Sequence, residues 1–173
     1  MKRLVVVAAM AGIILVGGLG FGYQAVADYV FEDLAPEQPI NFSHKLHAGD
    51  NKVPCRFCHI YAIKSTVSGV PSVQQCMGCH LSVRTDSPEV QKIHTYWNKQ
   101  KPIPWVKVYD LPDYVYFPHK RHVGADVACQ ECHGAVEEMT RVRRIPRLVM
   151  GWCLDCHKSK ERNGPTDCWE CHI

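Results

Sequence analysis

Residues 42–59 read FSHKLHAGDNKVPCRFCH, two cysteines and three histidines within eighteen residues. The stretch ends in Cys55-Arg56-Phe57-Cys58-His59, a CxxCH, the attachment motif for a c-type haem. Two thiols at this spacing reach the two vinyl groups on one porphyrin edge, and the imidazole that follows falls beneath the iron. His59 therefore has a role, whereas His44 and His47, upstream, still need one.

The rest of the chain repeats the motif. All ten cysteines of the 173 residues lie in a CxxCH: Cys55/Cys58/His59, Cys76/Cys79/His80, Cys129/Cys132/His133, Cys153/Cys156/His157 and Cys168/Cys171/His172. A redox dithiol, a zinc ribbon or a disulfide framework would also use paired cysteines. None of them requires a histidine directly after the second cysteine, and here it follows every time. The pattern predicts five covalently bound c-type haems, with His59, His80, His133, His157 and His172 as proximal iron ligands.

Ten histidines leave five over: His44, His47, His94, His119 and His122. Five haems and five spare imidazoles suggest iron closed on both faces, which passes electrons and offers no open position to a substrate. Four of the five belong to an internal repeat. Residues 42–59 align with FPHKRHVGADVACQECH, residues 117–133, once one residue is deleted: Phe, the HKxH pair, Gly, Val and the CxxCH all coincide. Residues three apart on a helical turn share a face, so one HxxH turn reaches two adjacent haems.

An HxxH ahead of the first CxxCH resembles the small class III multihaem cytochromes of the tri- and tetrahaem type. The second half resembles the trihaem kind, in Tyr116-Phe-Pro-His-Lys-Arg-His122 and Gly164-Pro-Thr-Asp-Cys-Trp-Glu-Cys-His172. The resemblance implies that His44 serves the haem of His59 and His47 that of His80. It likewise implies His119 for the haem of His133 and His122 for that of His157. The last haem departs from that family: where a third distal histidine is expected, the chain has Arg147-Leu-Val-Met150-Gly-Trp-Cys153. Met150 is the favoured sixth ligand of His172's haem, with Met139 and His94 as alternatives. A thioether there would raise the potential, since axial ligands tune haem over about 0.8 V. Core packing is the bland alternative for both methionines.

Leu4 to Ala27 carries no charge and follows Lys2-Arg3. As a helix it would span about 36 Å, against a hydrocarbon core of about 30 Å. Residues 1–27 are read as an uncleaved anchor, with Ala25-Val26-Ala27 as the competing signal-peptide cleavage site. Lys2 and Arg3 would stay inside, placing the haem domain on the periplasmic side of a bacterial inner membrane. A linker follows at 28–40, then a two-haem module at 41–80, a connector at 81–116 and a three-haem, class III-like module at 117–173. About 134 residues for five haems leave no room for an ordinary aliphatic core, so the expected fold is a multihaem cytochrome c. It would be mainly irregular, with short α-helices wrapped around haems, one N-terminal transmembrane helix and at most a small ribbon of strand.

Prolines 102, 104 and 112 break Ile103–Tyr116 as a helix, leaving an extended strap over haem faces or a docking surface. Arg141, Arg143, Arg144 and Arg147 form the densest basic run, suited to propionates or an acidic partner. A net charge of +3 does not compel steering of a carrier, and nothing suggests nucleic-acid binding.

The whole pattern resembles the pentahaem cytochrome c subunits of bacterial alternative complex III. The specific parts are the IPW…LPDYVYFPHKRH connector and Met150-Gly-Trp-Cys-Leu-Asp-Cys-His157. That resemblance implies an electron-transfer subunit with no substrate site of its own. Its implied partners are an iron–sulfur/molybdopterin-like subunit, polytopic quinol-binding subunits, a monohaem cytochrome c and a soluble electron carrier. An independent anchored quinol dehydrogenase feeding periplasmic reductases, a soluble periplasmic carrier and a multihaem reductase are the competing readings.

Overall fold

The computed structural model describes residues 34–146 and 148–172, together with Gly18. The proposed anchor, residues 1–27, and the start of the linker thus lie outside the described residues, as do Arg147 and Ile173. Among the described residues, no helix is long and apolar enough to cross a membrane. The chain divides into an N-terminal unit, Met1–Pro36, and the unit Glu37–Ile173 that carries every CxxCH.

Within the second unit the helices are short, and most are placed by a motif. The first HxxH winds into α1, Lys45–Asp50, with π geometry. Three CxxC motifs form single turns: α2, Cys55–Cys58; α6, Cys129–His133; and α8, Cys168–Cys171. Each is entered from an extended residue, Pro54, Ala128 or Asp167. The other two sit at the ends of longer helices, α3, Val73–His80, and α7, Met150–His157. The second HxxH is α5, His119–Gly124, an ordinary α-helix. A 3₁₀ turn, Val136–Glu138, follows α6.

One helix, α4 (Pro88–Asn98), falls inside the connector and owes nothing to a haem motif. Ser87 precedes it, Pro88 takes its first position, and Glu89 stands at its positive end, all favourable starts. Val90 and Ile93, three apart, are its buried face. With Ile40, Met77 (2 % exposed) and Ile103, Ile93 forms a small aliphatic cluster backed by Val73, Tyr96 and Trp105. This cluster packs α4 on α3, and it is the only one among the described residues.

The connector beyond α4 is extended, as proline demands. Gln38 pins its start by pairing its side-chain amide with both the N–H and the C=O of Val106, each at 3.0 Å. Farther on, Tyr109 rests its ring edge on His133, at 4.5 Å and 77°. Tyr116 N–H then donates to Cys171 O, and Val115 makes an antiparallel bridge with His172. That bridge is the only strand-like pairing among the described residues. The connector is therefore a strap running from α3 and α4, past α6, to α8.

Candidate functional site

Numbering the five CxxCH motifs in chain order defines sites 1 to 5. In each, the two thiols are one helical turn apart and share a face. The following histidine is the last residue of the helix in sites 2, 3 and 4 and its C-cap in sites 1 and 5, where the His59 and His172 N–H groups donate to Cys55 O and Cys168 O as the turn closes.

The spare histidines of the two HxxH turns stand opposite these proximal rings. His44 faces His59 with ring centres 6.5 Å apart and planes 4° from parallel. From the same turn His47 faces His80 at 6.2 Å. In the second repeat His119 faces His133 at 6.4 Å and 9°, and His122 faces His157 at 6.0 Å. Two metal–imidazole bonds of about 2 Å, plus roughly 1.2 Å from each nitrogen to its ring centre, require about 6.4 Å. All four gaps fit one iron between two imidazoles. Among the described residues no three His, Cys, Asp or Glu side chains converge as a ready-made metal cage.

Ring orientation is set by the main chain. Nδ1 of His59 lies 2.7 Å from Gly69 O, that of His80 3.0 Å from Val83 O, and that of His157 2.5 Å from Pro165 O. His47, His119, His122 and His172 do the same with Ser43, Thr66, Pro118 and Tyr114 carbonyls, at 2.8, 2.8, 3.2 and 3.3 Å. A proton fixed on Nδ1 leaves Nε2 as the lone-pair nitrogen, the arrangement found around metal-bound histidines. Phenylalanine holds each pair from behind. Phe42 meets His44 edge-on and stacks on His47; Phe117 does the same to His119 and His122.

The electrostatics favour neutral rings. Burial first, then the neighbouring His59 and His47, hold His44 down to about 4. Burial, with His119 and His59, holds His133 to about 4, and burial also lowers His122. Neutral imidazole is the ligating form, so these groups remain competent under mildly acidic conditions. Burial likewise raises the thiols of Cys58, Cys76, Cys129, Cys132 and Cys153.

Site 5 differs. The ring near His172 is Tyr114, 5.9 Å away, and no histidine of an HxxH turn is left to face it. Of the three candidates named from sequence, His94 lies on α4 with Nε2 2.9 Å from His80 O, against site 2. Met139 accepts from Lys45 N–H through its carbonyl and so lies against α1. Met150 opens α7 three residues before Cys153, a thiol close enough to feel Cys171 of site 5. Sequence reasoning missed Tyr109 as a clasp: its hydroxyl lies 3.2 Å from Arg143 O and accepts from Ile145 N–H at 3.4 Å. Of the arginine run, Arg141 pairs with Glu37 at 3.5 Å.

Residues 115–173 match the family model described as cytochrome c7 and related cytochrome c. A curated relative is the multihaem cytochrome c subunit of menaquinone reductase from Nitratidesulfovibrio vulgaris (strain Hildenborough). It is 34 % identical over 185 aligned positions, covering 91 % of this chain and 86 % of the relative. Opposed histidine pairs, CxxCH turns and a relative of this extent converge: the chain belongs to the cytochrome c7-like multihaem cytochromes c, which bind c-type haem covalently.

Proposed function

We propose that this protein is a pentahaem electron-relay subunit of a quinone-linked membrane oxidoreductase of the alternative complex III kind. The carrying observation is that each HxxH turn sets two imidazoles 6.0–6.5 Å from the proximal histidines of two different sites. When bound, haem supplies a one-electron couple at each site. The chain's own part is to close both axial positions at sites 1 to 4, to hold His47, His59, His80, His119, His122 and His157 by Nδ1–carbonyl bonds, and to leave no ligand position for a substrate there. At site 5 we assign Met150 as the sixth ligand, because it shares the α7 face with Cys153, beside Cys171. The N-terminal segment would anchor this domain on the periplasmic face of the inner membrane.

The relative's name supports the quinone link, and it also favours a second reading in which the same relay runs toward menaquinone instead of away from quinol. Purification of the native membrane complex tests both. Five haems per chain, an intact N-terminus, and co-purifying iron–sulfur and polytopic subunits are expected. Oxidation of quinol by the isolated chain would sink the relay reading in favour of an independent dehydrogenase. An N-terminus at Asp28 would favour a soluble carrier. Reduction of added menaquinone by the intact complex, with no quinol oxidation, would select the reverse direction.

A further inference from the structure

Two of the hydrogen bonds that join the repeats are the same bond made twice. Lys45 N–H donates to Met139 O at 2.9 Å, six residues beyond His133. Lys120 N–H donates to Ser65 O at 3.0 Å, six residues beyond His59. Lys45 and Lys120 hold the same place in the repeat. A contact in which i meets j, and the equivalent of i meets the equivalent of j, is isologous and marks a two-fold relation. Residues on such an axis meet their own equivalents. Cys55 and Cys129, the equivalent first thiols of sites 1 and 3, lie within electrostatic reach of each other. His59 and His133, also equivalent, lie within electrostatic reach of each other.

The other neighbours follow from the turns. α1 bridges sites 1 and 2 through His44 and His47, and α5 bridges sites 3 and 4 through His119 and His122. Thiols agree: Cys58 lies near Cys76 and Cys79, and Cys132 near Cys153 and Cys156. Cys171 of site 5 accepts from Tyr116 N–H at 2.8 Å, one residue before the Phe117 ring stacked on His122 of site 4, and lies within electrostatic reach of Cys153 of site 4.

We propose that the two repeats pack about an internal pseudo-two-fold axis between Cys55 and Cys129, so that the five sites stand in the spatial order 2–1–3–4–5. Chain order and path order differ. The repeated unit, the HxxH with its own CxxCH, occurs twice in the interior of the row, at sites 1 and 3. The ends are site 2, beside α4, and site 5, on α8, where Trp169 is 87 % exposed. Resting on the relay reading, this places the one-electron donor and the one-electron acceptor at opposite ends of the row, with sites 1, 3 and 4 as the obligatory middle.

The order is tested without reference to turnover. Gadolinium tags on single added cysteines (Asp86→Cys beyond site 2, Lys64→Cys beyond site 1, Glu161→Cys beyond site 4) report pairwise distances in the reduced holoprotein. The row predicts that the 86–161 distance exceeds the 64–161 distance. The reverse, expected if sites follow chain order, overturns it. A redox titration of His44→Met holoprotein provides the second arm. Raising site 1 should shift the midpoints of both site 2 and site 3, whereas His47→Met should shift site 1 and leave site 3 unmoved. A shift at site 3 from His47→Met as large as from His44→Met overturns the row. If neither substitution moves its own site, the ligand assignment fails, and the tag distances still decide the order.

Discussion

The two HxxH repeats carry the same pair of histidines, yet they are not wound alike. The first has one residue more than the second, and that residue is absorbed as a π-helical turn, with Asn51 N–H reaching back five residues to Leu46 O. The second closes as an α-helix, with Ala125 N–H bonded four back to Arg121 O. Past the difference the two copies rejoin. Lys52 and Asp126, each just before the matching valine, take positive φ of 56° and 53°. Val53 N–H then returns to His47 O, and Val127 N–H to His122 O. A one-residue insertion is thus confined to the interior of one turn, as π-bulges at functional sites commonly are. The spacing of the facing histidine rings on either side is preserved.

The same comparison shows where the copies have parted in environment. Gly49 in α1 faces the Glu137 carbonyl so closely that a Cβ there would collide with it; Gly124, its equivalent in α5, has open space. His119 Nδ1 has Thr66 O at 2.8 Å, while His44 Nδ1 is buried without a hydrogen-bond partner. The first repeat is the more tightly enclosed of the two, so its substitutions should cost more.

The largest effect is expected from the histidines proposed as distal ligands. His44→Ala and His119→Ala should each convert one low-spin site to an open, carbon-monoxide-binding one, read by electron paramagnetic resonance and ligand-difference spectra. Retention of all low-spin signals in either variant breaks the equivalence of the repeats. Phe42→Ala and Phe117→Ala come next. Each removes a ring packed on two histidines, and a loss of about 1–3 kcal/mol in both is expected for half-buried aromatics. A loss in one repeat alone would show that the stacking is not shared. Gly49→Ala should lower thermal stability by about 1–3 kcal/mol through overpacking against a fixed carbonyl. Gly124→Ala, by contrast, should be neutral or gain up to about 1 kcal/mol from helix propensity. Equal melting shifts for the two glycines would refute the asymmetric packing. Least of all, Lys45→Ala breaks an exposed pair with Asp50 and should change stability by no more than about 0.5 kcal/mol.

Much of this was legible in residues 42–59 and 117–133, because haem attachment is written in a short, rigid motif and the repeat duplicates it. The histidine pairing was anticipated from a family resemblance, and the facing rings now lie in the same four pairs. The π-turn was visible only as an alignment gap, which says that a residue is extra and not how the backbone absorbs it. Helix α4 had its signals in Ser87, Pro88 and Glu89, but the prolines beyond it coloured the reading of the whole connector. The docking of Lys45 on Met139 and of Lys120 on Ser65 uses main-chain atoms, which no side-chain pattern reports. For site 5 the sequence left Met150, Met139 and His94 open. The structure sets the latter two against other sites, Met139 beside α1 and His94 beside site 2.

The Nδ1–carbonyl bonds have a consequence for how such a protein changes over generations. Seven rings are aimed by backbone oxygens, which every residue type supplies equally. Substitution of the residue that lends its carbonyl leaves the acceptor in place, provided the local backbone path is kept. The side chains around the sites are therefore free to drift, while selection holds the motif spacing and the course of the chain. A relative sharing a third of its residues over nearly the full length is what such a scaffold permits.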